Sequence, residues 1–423
     1  MHVVILGNGI AGVTTARHLR KRDADVRITL VSGESDHHWS RPALMYIYMG
    51  HMRYADTRPY ADDFWDRNRI ERIRGWVDTI DTAARTLVFT TGDQLQYDRL
   101  VLATGSIANR WGWPGEDLDR VQGMISLQDL LALQQITPTL RHAVVVGGGL
   151  IGIELAEMLH SRNIPVSMLV RGSGYWDDVL PRPEAAIIAR AIQRAGIDLR
   201  LETELAAIHD DGTGAAGSVT TSHGERIACQ FVGLTAGVRP NLRAVQDSGL
   251  ETARGIVVDD RLRTSHGGIF AVGDCAEIQQ PDGGTLIQQT WYTGRAQGEV
   301  AAGNILGGDT PYDPGIWFNS AKFLDIEYQT HGTVPVKEDG RHDHLYWEHA
   351  DGRKALRLVH EDGVLVGIHV LGLRVRHRVC EAWIRDRCCI THVLERLEDA
   401  AFDPELGADL IPSVRQALAR RPA

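Results

Sequence analysis

The sequence predicts an α/β protein built from two similar strand–turn–helix domains and a C-terminal α+β domain. Three observations support this fold class. An apolar strand, a glycine turn and a helix open the chain, the same arrangement returns about 140 residues later, and short strands with tight turns dominate from residue 312 onward. One GxGxxG turn is weak evidence, whereas two in one chain, each between a strand and a helix, are much more specific.

The first arrangement consists of the apolar run 3–6, the turn Gly7-Asn8-Gly9-Ile10-Ala11-Gly12, a helix over 13–22 and a second strand over 26–31. In a dinucleotide site Gly7 makes the tight turn, Gly9 lets the backbone approach a pyrophosphate, and Gly12 lets the helix pack closely on the strand. Glu34 lies 22 residues beyond Gly12, where an acidic side chain binds ribose hydroxyls. The pattern therefore predicts a Rossmann-like domain with a pyrophosphate at the helix N-terminus.

The composition is that of an ordinary globular enzyme. The 423 residues are enough for two or three domains, and 43% hydrophobic and 24% charged residues are typical of this class. A formal net charge of −10 argues against a nucleic-acid-binding protein, and no run of about 18 apolar residues would cross a membrane. Because there is no signal-peptide pattern and the five cysteines form no CxxC or metal-ligand spacing, we expect a cytoplasmic protein without a metal site.

Between the two arrangements the sequence predicts a surface region followed by strands. His37 and His38 are adjacent and share no helix or strand face, so we interpret them as loop residues rather than metal ligands. Surface helices are predicted within 47–70, and strands over 72–77, 86–89 and 97–102. The last strand ends in the small residues 103–106, a turn that admits a ligand close to the backbone.

The second arrangement consists of a strand over 143–146, the turn Gly147-Gly148-Gly149-Leu150-Ile151-Gly152, a helix over 153–162 and a strand over 166–170. It departs from the first at one place, because Val170 stands where the acidic residue is expected and Arg171 follows. An arginine there can accommodate a 2′-phosphate, which favours NADPH over NADH. An ordinary surface arginine is the alternative.

The remaining segments supply one carboxylate and the third domain. An apolar strand ends in Gly273-Asp274, which places the Asp274 carboxylate where it can bind a polyol hydroxyl. The other predicted elements are strands within 197–238, a helix over 291–307, strands over 355–360 and 364–371, and a helix over 378–386.

Together these motifs resemble the pyridine nucleotide-disulfide oxidoreductases, flavoproteins with two dinucleotide sites, and above all their ferredoxin and rubredoxin reductase branch. The resemblance covers roughly residues 1–310, with a looser match around Trp317. The matching pieces are Gly7–Gly12, Ser40-Arg41-Pro42, Leu102-Ala103-Thr104-Gly105, Gly147–Glu154, Gly237-Val238-Arg239-Pro240-Asn241 and Ile269–Glu277. The resemblance implies an FAD domain over 1–112 and 240–311, an inserted NAD(P) domain over 113–239, and an α+β interface domain over 312–423.

The resemblance also implies roles for individual residues. Glu34 would face the adenosine ribose of FAD and Val77 its adenine, whereas Asp274 would bind the ribityl chain. Glu154 would lie near the nicotinamide. With Arg171 from the argument above, the predicted cofactor-binding residues are Gly7, Gly9, Gly12, Glu34, Arg41, Pro42, Val77, Ala103, Thr104, Gly105, Gly147, Gly149, Ile151, Gly152, Glu154, Arg171, Gly237 and Asp274.

The sequence departs from the family pattern in two places. Residues 35–60 contain no cysteine, which excludes the redox cysteine pair that the disulfide branch carries there. Tyr46 stands where the ferredoxin reductase pattern has a lysine that would pair with Glu154. Without that lysine Glu154 is either free or bound to Lys322 or water, and Glu154, Tyr46 and Lys322 are the candidate catalytic residues.

The expected reaction is hydride transfer from NADPH or NADH to FAD, followed by electron transfer to an external acceptor such as ferredoxin or rubredoxin without a cysteine relay. One alternative is an NAD(P)H oxidase, quinone reductase or nitrite-reductase-like flavin component with a small acceptor. A second is a redox-regulated binding flavoprotein similar to apoptosis-inducing factor. The resemblance places a homodimer contact, where one exists, in the third domain.

Two surface features have open interpretations. The basic cluster Arg374, Arg376, His377 and Arg378, with Arg385 and Arg387 nearby, either steers an acidic ferredoxin or is a solvated, internally paired face. In the tail 411–420, the residues Ile411, Val414 and Leu418 have helical spacing. This stripe either lies on a membrane or packs on its own domain or a dimer partner.

Overall fold

The computed structural model describes residues 1–402 and 410–419. Within them the chain forms two compact units. Unit 1 consists of Met1–Trp111, Gln122–Thr139 and Gly237–Pro314, and unit 2 of Gly112–Val121, Leu140–Ala236 and the described residues from Gly315 onward. The division into three domains at the boundaries given above stays a prediction.

Unit 1 is built on a five-stranded parallel sheet, whose strands lie in the order Ile269–Ala271, Arg99–Leu102, His2–Leu6, Arg27–Ser32 and Ile70–Arg74. The central strand is buried along almost its whole length. Strands of a parallel sheet are covered on both faces, which explains why the run 3–6 is apolar without alternation.

The helices described in unit 1 are Ile10–Arg22, Leu44–Met49, Phe64–Arg67, Leu127–Ile136 and Trp291–Ile305. The first and last pack closely against each other. A Cβ atom on Gly298 would lie 2.6 Å from the carbonyl oxygen of Ala11, so this approach requires glycine. Short 3₁₀ turns occur at Arg41–Ala43, Tyr54–Thr57, Thr137–Thr139, Arg243–Val245 and Gly273–Cys275.

Smaller sheets complete unit 1. They are Val77–Asp81 with Thr86–Phe89 and Gln94–Gln96, Ile256–Val258 with Ala276–Gln279 and Thr285–Leu286, and Ser106–Ala108 with Val238–Pro240. In the last of these, the antiparallel pairing brings two segments that are 130 residues apart in sequence to the end of the parallel sheet.

Unit 2 contains a second parallel sheet, with strands Asp198–Arg200, Val166–Leu169, Ala143–Val146 and Phe231–Leu234 in that order. Its helices are Leu150–Ser161 and Arg182–Arg194, and an antiparallel sheet is formed by Leu205–Asp210, Ala216–Thr221 and Arg226–Ala228. The short strand Val121–Gln122 lies where the chain passes from one unit to the other.

The C-terminal part of unit 2 is an antiparallel sheet with strand order Phe318–Phe323, Ile326–Gly332, Val364–Leu371, Ala355–Glu361 and Asp343–Glu348. Its helices are His377–Arg385, Ile390–Glu395 and Leu410–Ala419, with a 3₁₀ turn at Leu397–Ala400. A buried ion pair joins this sheet to the helix Arg182–Arg194, because the Arg357 guanidinium donates to both oxygens of Glu184, at 2.6 and 2.8 Å.

The C-terminal helix packs on its own unit. Val414 and Leu418 are buried in the core beneath the C-terminal sheet, as one of the two interpretations predicts. The side chain of Ile411 and the whole of Arg420 lie outside the described residues. None of the helices in the two described ranges is both long and apolar enough to cross a membrane.

The observed elements follow the predicted α/β pattern, with one systematic shift. The helices predicted from residues 13 and 153 begin three residues earlier, at Ile10 and Leu150. The physical reason is that Gly9 and Gly149 are themselves the N-caps, so the glycine turn already belongs to the first helical turn.

Candidate active site

The first glycine turn, Gly7–Gly12, lies at the C-terminal end of the central strand in unit 1. Gly7 has φ +118°, and a Cβ there would lie 2.0 Å from the carbonyl oxygen of Ala103. A Cβ on Gly12 would lie 2.0 Å from the carbonyl oxygen of Gly7. By contrast, a Cβ on Gly9 meets nothing within 4 Å. Two glycines are therefore required by packing, and the third faces open space.

That open space suits a phosphate. The helix Ile10–Arg22 has no side-chain cap and no acidic residue in its first turn, so its first N–H groups and the positive end of its dipole are available to an anion. The residues present thus fit the pyrophosphate of a dinucleotide.

Distant segments complete the surroundings of the first turn. Gly105 has φ +71° and, like Gly9, faces open space. The Thr104 hydroxyl donates to the carbonyl oxygen of Asn241 at 2.8 Å, and the Asn241 N–H donates to the carbonyl oxygen of Gly105 at 2.9 Å. Gly237 lies shortly before Asn241 in the chain and has a φ of +84°, a conformation that favours glycine.

Asp274 is the carboxylate predicted to bind a polyol. Its Oδ2 accepts a hydrogen bond from the Ser106 hydroxyl at 2.6 Å. Burial raises the pKa of Asp274, and the Ser106 hydrogen bond opposes that rise. A half-buried carboxylate suits a hydroxyl ligand, because a hydrogen bond from the hydroxyl would compensate for the lost solvation.

Glu34, the predicted ribose ligand, is already engaged within unit 1. Its carboxylate accepts hydrogen bonds from Arg41 at 2.9 and 2.5 Å and from the Leu127 N–H at 2.9 Å. The Glu34 side chain is 14% exposed, whereas Arg41 is 42% exposed. The carboxylate is therefore fixed at the end of its strand, which is the position that the sequence pattern requires.

A cavity of about 530 Å³ lies in unit 1, at the loop that follows Glu34 in the chain. Its lining includes Asn8, Ser32, Asp36, Trp65, Arg72 and Arg74. The predicted adenine neighbour Val77 is half-buried at the start of its strand. The cavity is large enough for part of a dinucleotide.

The two adjacent histidines have ordinary structural surroundings. The Nδ1 atom of His38 lies 2.8 Å from the carbonyl oxygen of Asn8, and burial lowers the pKa of His38. His37 lies 3.9 Å from Asp62. Their placement agrees with the loop interpretation.

Pro42 and Tyr46 lie on a second, apolar cavity of about 380 Å³ in unit 1. Pro42 is the second residue of the 3₁₀ turn Arg41–Ala43. Tyr46 follows in the short helix Leu44–Met49, and its ring stacks on that of His51 with ring centroids 6.2 Å apart. Other residues lining this cavity are Ala43, Met52, Thr57 and Pro59.

The second glycine turn, Gly147–Gly152, repeats the geometry of the first in unit 2. Gly147 has φ +124°, and a Cβ there would lie 2.5 Å from the carbonyl oxygen of Thr235. A Cβ on Gly152 would lie 2.5 Å from the carbonyl oxygen of Gly147. Gly149 is the N-cap of a helix without a side-chain cap, and Ile151 is half-buried in the first turn. This turn also fits a pyrophosphate.

Arg171 is exposed just beyond the strand Val166–Leu169. Among the described residues its guanidinium takes part in no hydrogen bond or ion pair that the structure shows. It is therefore available to an anionic group of a ligand, as the predicted contact with a 2′-phosphate requires.

Glu154 and Glu157 lie on one face of the helix Leu150–Ser161. Burial and, to a smaller extent, the charge of Glu157 together raise the pKa of Glu154 to about 7. Lys322 Nζ lies 3.1 Å from Glu157 Oε1, so the ion pair shown for Lys322 is with Glu157 rather than Glu154. The other oxygen of Glu157 is buried and has no hydrogen-bond partner among the described residues.

Sequence reasoning missed several residues of this site. Ser106 follows the Thr104-Gly105 motif directly, and this adjacency was the available signal. Tyr175 and Trp176 lie in a loop without a motif, and Glu157 pairs with a lysine 165 residues away. No local sequence pattern predicts these contacts.

The cysteines described in the structure are free thiols. Cys275 is buried next to Asp274, its thiol lies 3.4 Å from the carbonyl oxygens of Leu102 and Val272, and burial raises its pKa. A thiol with a raised pKa is a poor nucleophile, which supports a structural role.

The basic cluster is only partly neutralised within unit 2. Arg374 makes a bidentate ion pair with Glu327, and Arg385 makes an ion pair with Asp386. Arg376 and Arg378 are exposed at the start of the helix His377–Arg385.

Comparison with known proteins gives consistent results. A family model for pyridine nucleotide-disulphide oxidoreductases matches residues 1–298. The ferredoxin reductase component of chlorobenzene dioxygenase from Cupriavidus sp. (strain PS12) is 32% identical over 320 residues, which are 75% of this chain and 77% of that protein. The ferredoxin–NAD(+) reductase subunit of the benzene 1,2-dioxygenase system from Pseudomonas putida is 32% identical over 308 residues, 72% of this chain and 74% of that one.

Solved structures extend the similarity to the whole chain. The crystal structure of the ferredoxin reductase for the CYP199A2 system from Rhodopseudomonas palustris superimposes with a TM-score of 0.80 at 26% identity. The match covers 99% of this chain and 99% of that chain.

Proposed function

The chain belongs to the pyridine nucleotide-disulphide oxidoreductase family, and on this premise we propose that it reduces a ferredoxin- or rubredoxin-type protein with electrons from NAD(P)H. The predicted family, α/β fold class and FAD and NAD(P)H cofactors are confirmed, and the protein is an FAD-dependent NAD(P)H oxidoreductase. When bound, FAD accepts a hydride from the nicotinamide and passes electrons on. The identity of the acceptor and the roles of single residues are the proposal.

Unit 1 would hold FAD. The first glycine turn would bind the pyrophosphate through Gly9 and the N–H groups of the helix that starts at Ile10. Asp274, oriented by Ser106, would accept a hydrogen bond from a ribityl hydroxyl. Gly105 would leave room for the cofactor beside the backbone, since nothing lies within 4 Å of its Cβ position.

Unit 2 would hold NAD(P)H at the second glycine turn. Glu154 would hold a proton near neutral pH, because burial raises its pKa to about 7. The ion pair between Lys322 and Glu157 would keep the neighbouring charge fixed. Tyr46, Lys322 and Glu154 stay candidate catalytic residues.

The observation that carries the proposal is the pair of glycine turns, each with one open glycine at an uncapped helix N-terminus. Residues 35–60 contain no cysteine, so electrons would leave without a thiol relay. The relatives named as ferredoxin reductases support a small redox protein as the acceptor.

The exposed Arg376 and Arg378 are the proposed docking residues for an acidic ferredoxin. Charge complementarity speeds association at low salt. The variant Arg376→Glu/Arg378→Glu should slow ferredoxin reduction about tenfold at low ionic strength and less at high ionic strength. The control Arg194→Glu reverses an exposed arginine elsewhere in unit 2. Equal rates for the two variants would overturn the docking surface.

The first test is an anaerobic titration of the yellow protein with NADH and NADPH, followed by turnover with ferredoxin. Bleaching of the FAD absorbance followed by rapid ferredoxin reduction is expected. If neither nucleotide bleaches the flavin, the proposed function is wrong, and a redox-regulated binding protein becomes the better hypothesis.

A second candidate function is quinone reduction. The apolar cavity lined by Pro42, Tyr46 and Met52 supports it, because a flat, largely apolar acceptor such as a quinone would gain free energy on moving from water into this cavity. Rapid NAD(P)H oxidation with a soluble quinone, in the absence of any ferredoxin, would favour this candidate.

A further inference from the structure

Trp176 has a backbone conformation that tryptophan rarely adopts. Its φ is +56°, in the left-handed region, where a bulky side chain is strained. Such a conformation persists only where the surroundings enforce it, and such residues cluster at ligand sites. The residue lies in the loop that follows the strand Val166–Leu169 of unit 2.

Contacts within unit 2 hold Trp176 in place. The hydroxyl of the buried Tyr175 donates to the carbonyl oxygen of Gly149 at 2.7 Å. The indole ring of Trp176 packs on Phe323 and Tyr328, with ring centroids 5.5 and 5.6 Å apart. Its carbonyl oxygen accepts hydrogen bonds from the N–H groups of residues 179 and 180. These contacts fix both the indole ring and the backbone of Trp176.

The fixed ring directs its polar edge to the second glycine turn. Indole Nε1 lies 4.0 Å from the position that a Cβ on Gly149 would take, and no other heavy atom outside the chain neighbours lies within that distance. Among the described residues, no acceptor is shown for this N–H. A tryptophan N–H that is half-buried usually has an acceptor.

Hydrogen-bond donors therefore lie beside the open space at Gly149. The helix N-terminus at Gly149 presents uncapped backbone N–H groups, and the indole N–H is a further donor beside them. The aromatic neighbours Phe323 and Tyr328 pack on the indole ring, so the N–H edge is what Trp176 offers to a ligand. An anion with several oxygens is the chemical class that such a set of donors binds.

We propose that the Trp176 indole N–H donates a hydrogen bond to the pyrophosphate of the nicotinamide dinucleotide and so positions it on the second glycine turn. This inference rests on the proposed function, because it assumes that unit 2 binds NAD(P)H. Trp176 is a binding and positioning residue here and takes no part in hydride transfer.

The test compares Trp176→Phe with the control Trp113→Phe in the FAD-loaded protein, since Trp113 is also a half-buried tryptophan of unit 2 but packs on an apolar core. Phenylalanine keeps an aromatic ring against Phe323 and Tyr328 but removes the N–H. The probes are ADP-ribose, which has the pyrophosphate, and adenosine monophosphate, which does not. We expect Trp176→Phe to weaken ADP-ribose binding about tenfold, as for the loss of one hydrogen bond to a charged group, and to leave adenosine monophosphate binding within about twofold.

Steady-state kinetics supply a second readout. For Trp176→Phe the KM for NADH and NADPH should rise about tenfold, with kcat within about twofold, because the lost hydrogen bond serves binding. Trp113→Phe should change neither value. A structural defect would instead lower kcat, reduce the FAD content or weaken both probes, and any of these results would overturn the inference.

The failure of this inference differs from failure of the proposed function. Native protein that binds ADP-ribose with loss on Trp176→Phe, but whose flavin neither nucleotide bleaches, would overturn the proposed function and keep the inference. Normal reduction with unchanged ADP-ribose affinity in Trp176→Phe would do the reverse. Native protein that does not bind ADP-ribose overturns the inference outright.

Discussion

Gly9 in unit 1 and Gly149 in unit 2 occupy the same place in two strand–turn–helix arrangements, each as the N-cap of a helix without a side-chain cap. In both turns a nearby carbonyl oxygen leaves no room for a side chain at the last glycine. A Cβ atom would lie 2.0 Å from that oxygen at Gly12 and 2.5 Å from it at Gly152. The local sequence thus fixes the same backbone twice.

The surroundings of the two turns differ. Beyond the second strand of unit 1, Glu34 is fixed by Arg41 and a helix N-terminus, whereas Arg171 in unit 2 projects without a partner shown among the described residues. Nothing lies within 4 Å of the Cβ position of Gly9, whereas the indole of Trp176 borders that of Gly149. From this difference we infer that the motif places a pyrophosphate and that side chains outside the motif set which dinucleotide is preferred.

The largest expected effect tests the shared backbone. Gly12→Ala forces a Cβ against a carbonyl oxygen and should lower stability by about 4 kcal/mol or more, with Gly152→Ala somewhat milder because its contact is longer. The control Gly9→Ala has space for its methyl group and should lose FAD while keeping the Tm of the FAD-free native protein. Calorimetry and the FAD absorbance of the purified variants measure both. Equal Tm values for Gly9→Ala and Gly12→Ala would contradict the packing argument.

The next largest effect on stability concerns the contacts that join segments far apart in the sequence within each unit. Unit 1 uses hydrogen bonds such as that between Ser106 and Asp274, whereas unit 2 uses the buried pair of Glu184 and Arg357. Because Glu184→Gln leaves a buried guanidinium unpaired, it should cost about 3–5 kcal/mol.

The matched control for that change is Arg190→Ala, which removes the exposed pair with Glu348 and should cost at most about 1 kcal/mol. Calorimetric transitions of the two variants give the comparison. A Glu184→Gln variant as stable as Arg190→Ala would show that unit 2 does not depend on the buried pair.

A pH effect of intermediate size is expected from the buried carboxylate of Glu154 in unit 2. Burial raises the pKa of Glu154 to about 7 from the ordinary glutamate value of 4.5, so the folded state binds this proton more tightly than the unfolded state. The associated stability is complete below pH 4.5 and is lost as the pH rises to about 7, by at most about 3 kcal/mol.

Glu154→Gln should therefore raise the apparent Tm above pH 7 and leave it near the native value around pH 4.5. The exposed Glu204→Gln, in the same unit, serves as the control and should follow the native pH profile. Parallel Tm-against-pH curves for native protein and Glu154→Gln would exclude a raised pKa at this residue.

The smallest expected effect tests the difference between Glu34 and Arg171. If Arg171 binds a 2′-phosphate, Arg171→Ala should raise the KM for NADPH about tenfold and leave the KM for NADH within about twofold. Steady-state kinetics with both nucleotides measure the ratio. An unchanged ratio would leave Arg171 as an ordinary surface residue, and the enzyme class would stand.

The sequence predicted those parts of the site that depend on local geometry. Both glycine turns, their strands and their helices are where the motifs place them, because tight turns with positive φ require glycine at fixed spacing. The partner of Lys322 and the contact between Tyr175 and Gly149 could not be predicted, since nothing in the spacing of these residues reflects their proximity.

The sequence by itself determined the family, the two glycine turns and the absence of cysteine from residues 35–60, because these rest on short motifs and on composition. Only the tertiary structure decided which side chains surround each turn: Ser106 at Asp274, Lys322 at Glu157 and the indole of Trp176 at Gly149. The physical reason is that burial and hydrogen bonding depend on distances in space, and folding brings together residues such as Ser106 and Asp274, which lie 168 positions apart in the chain.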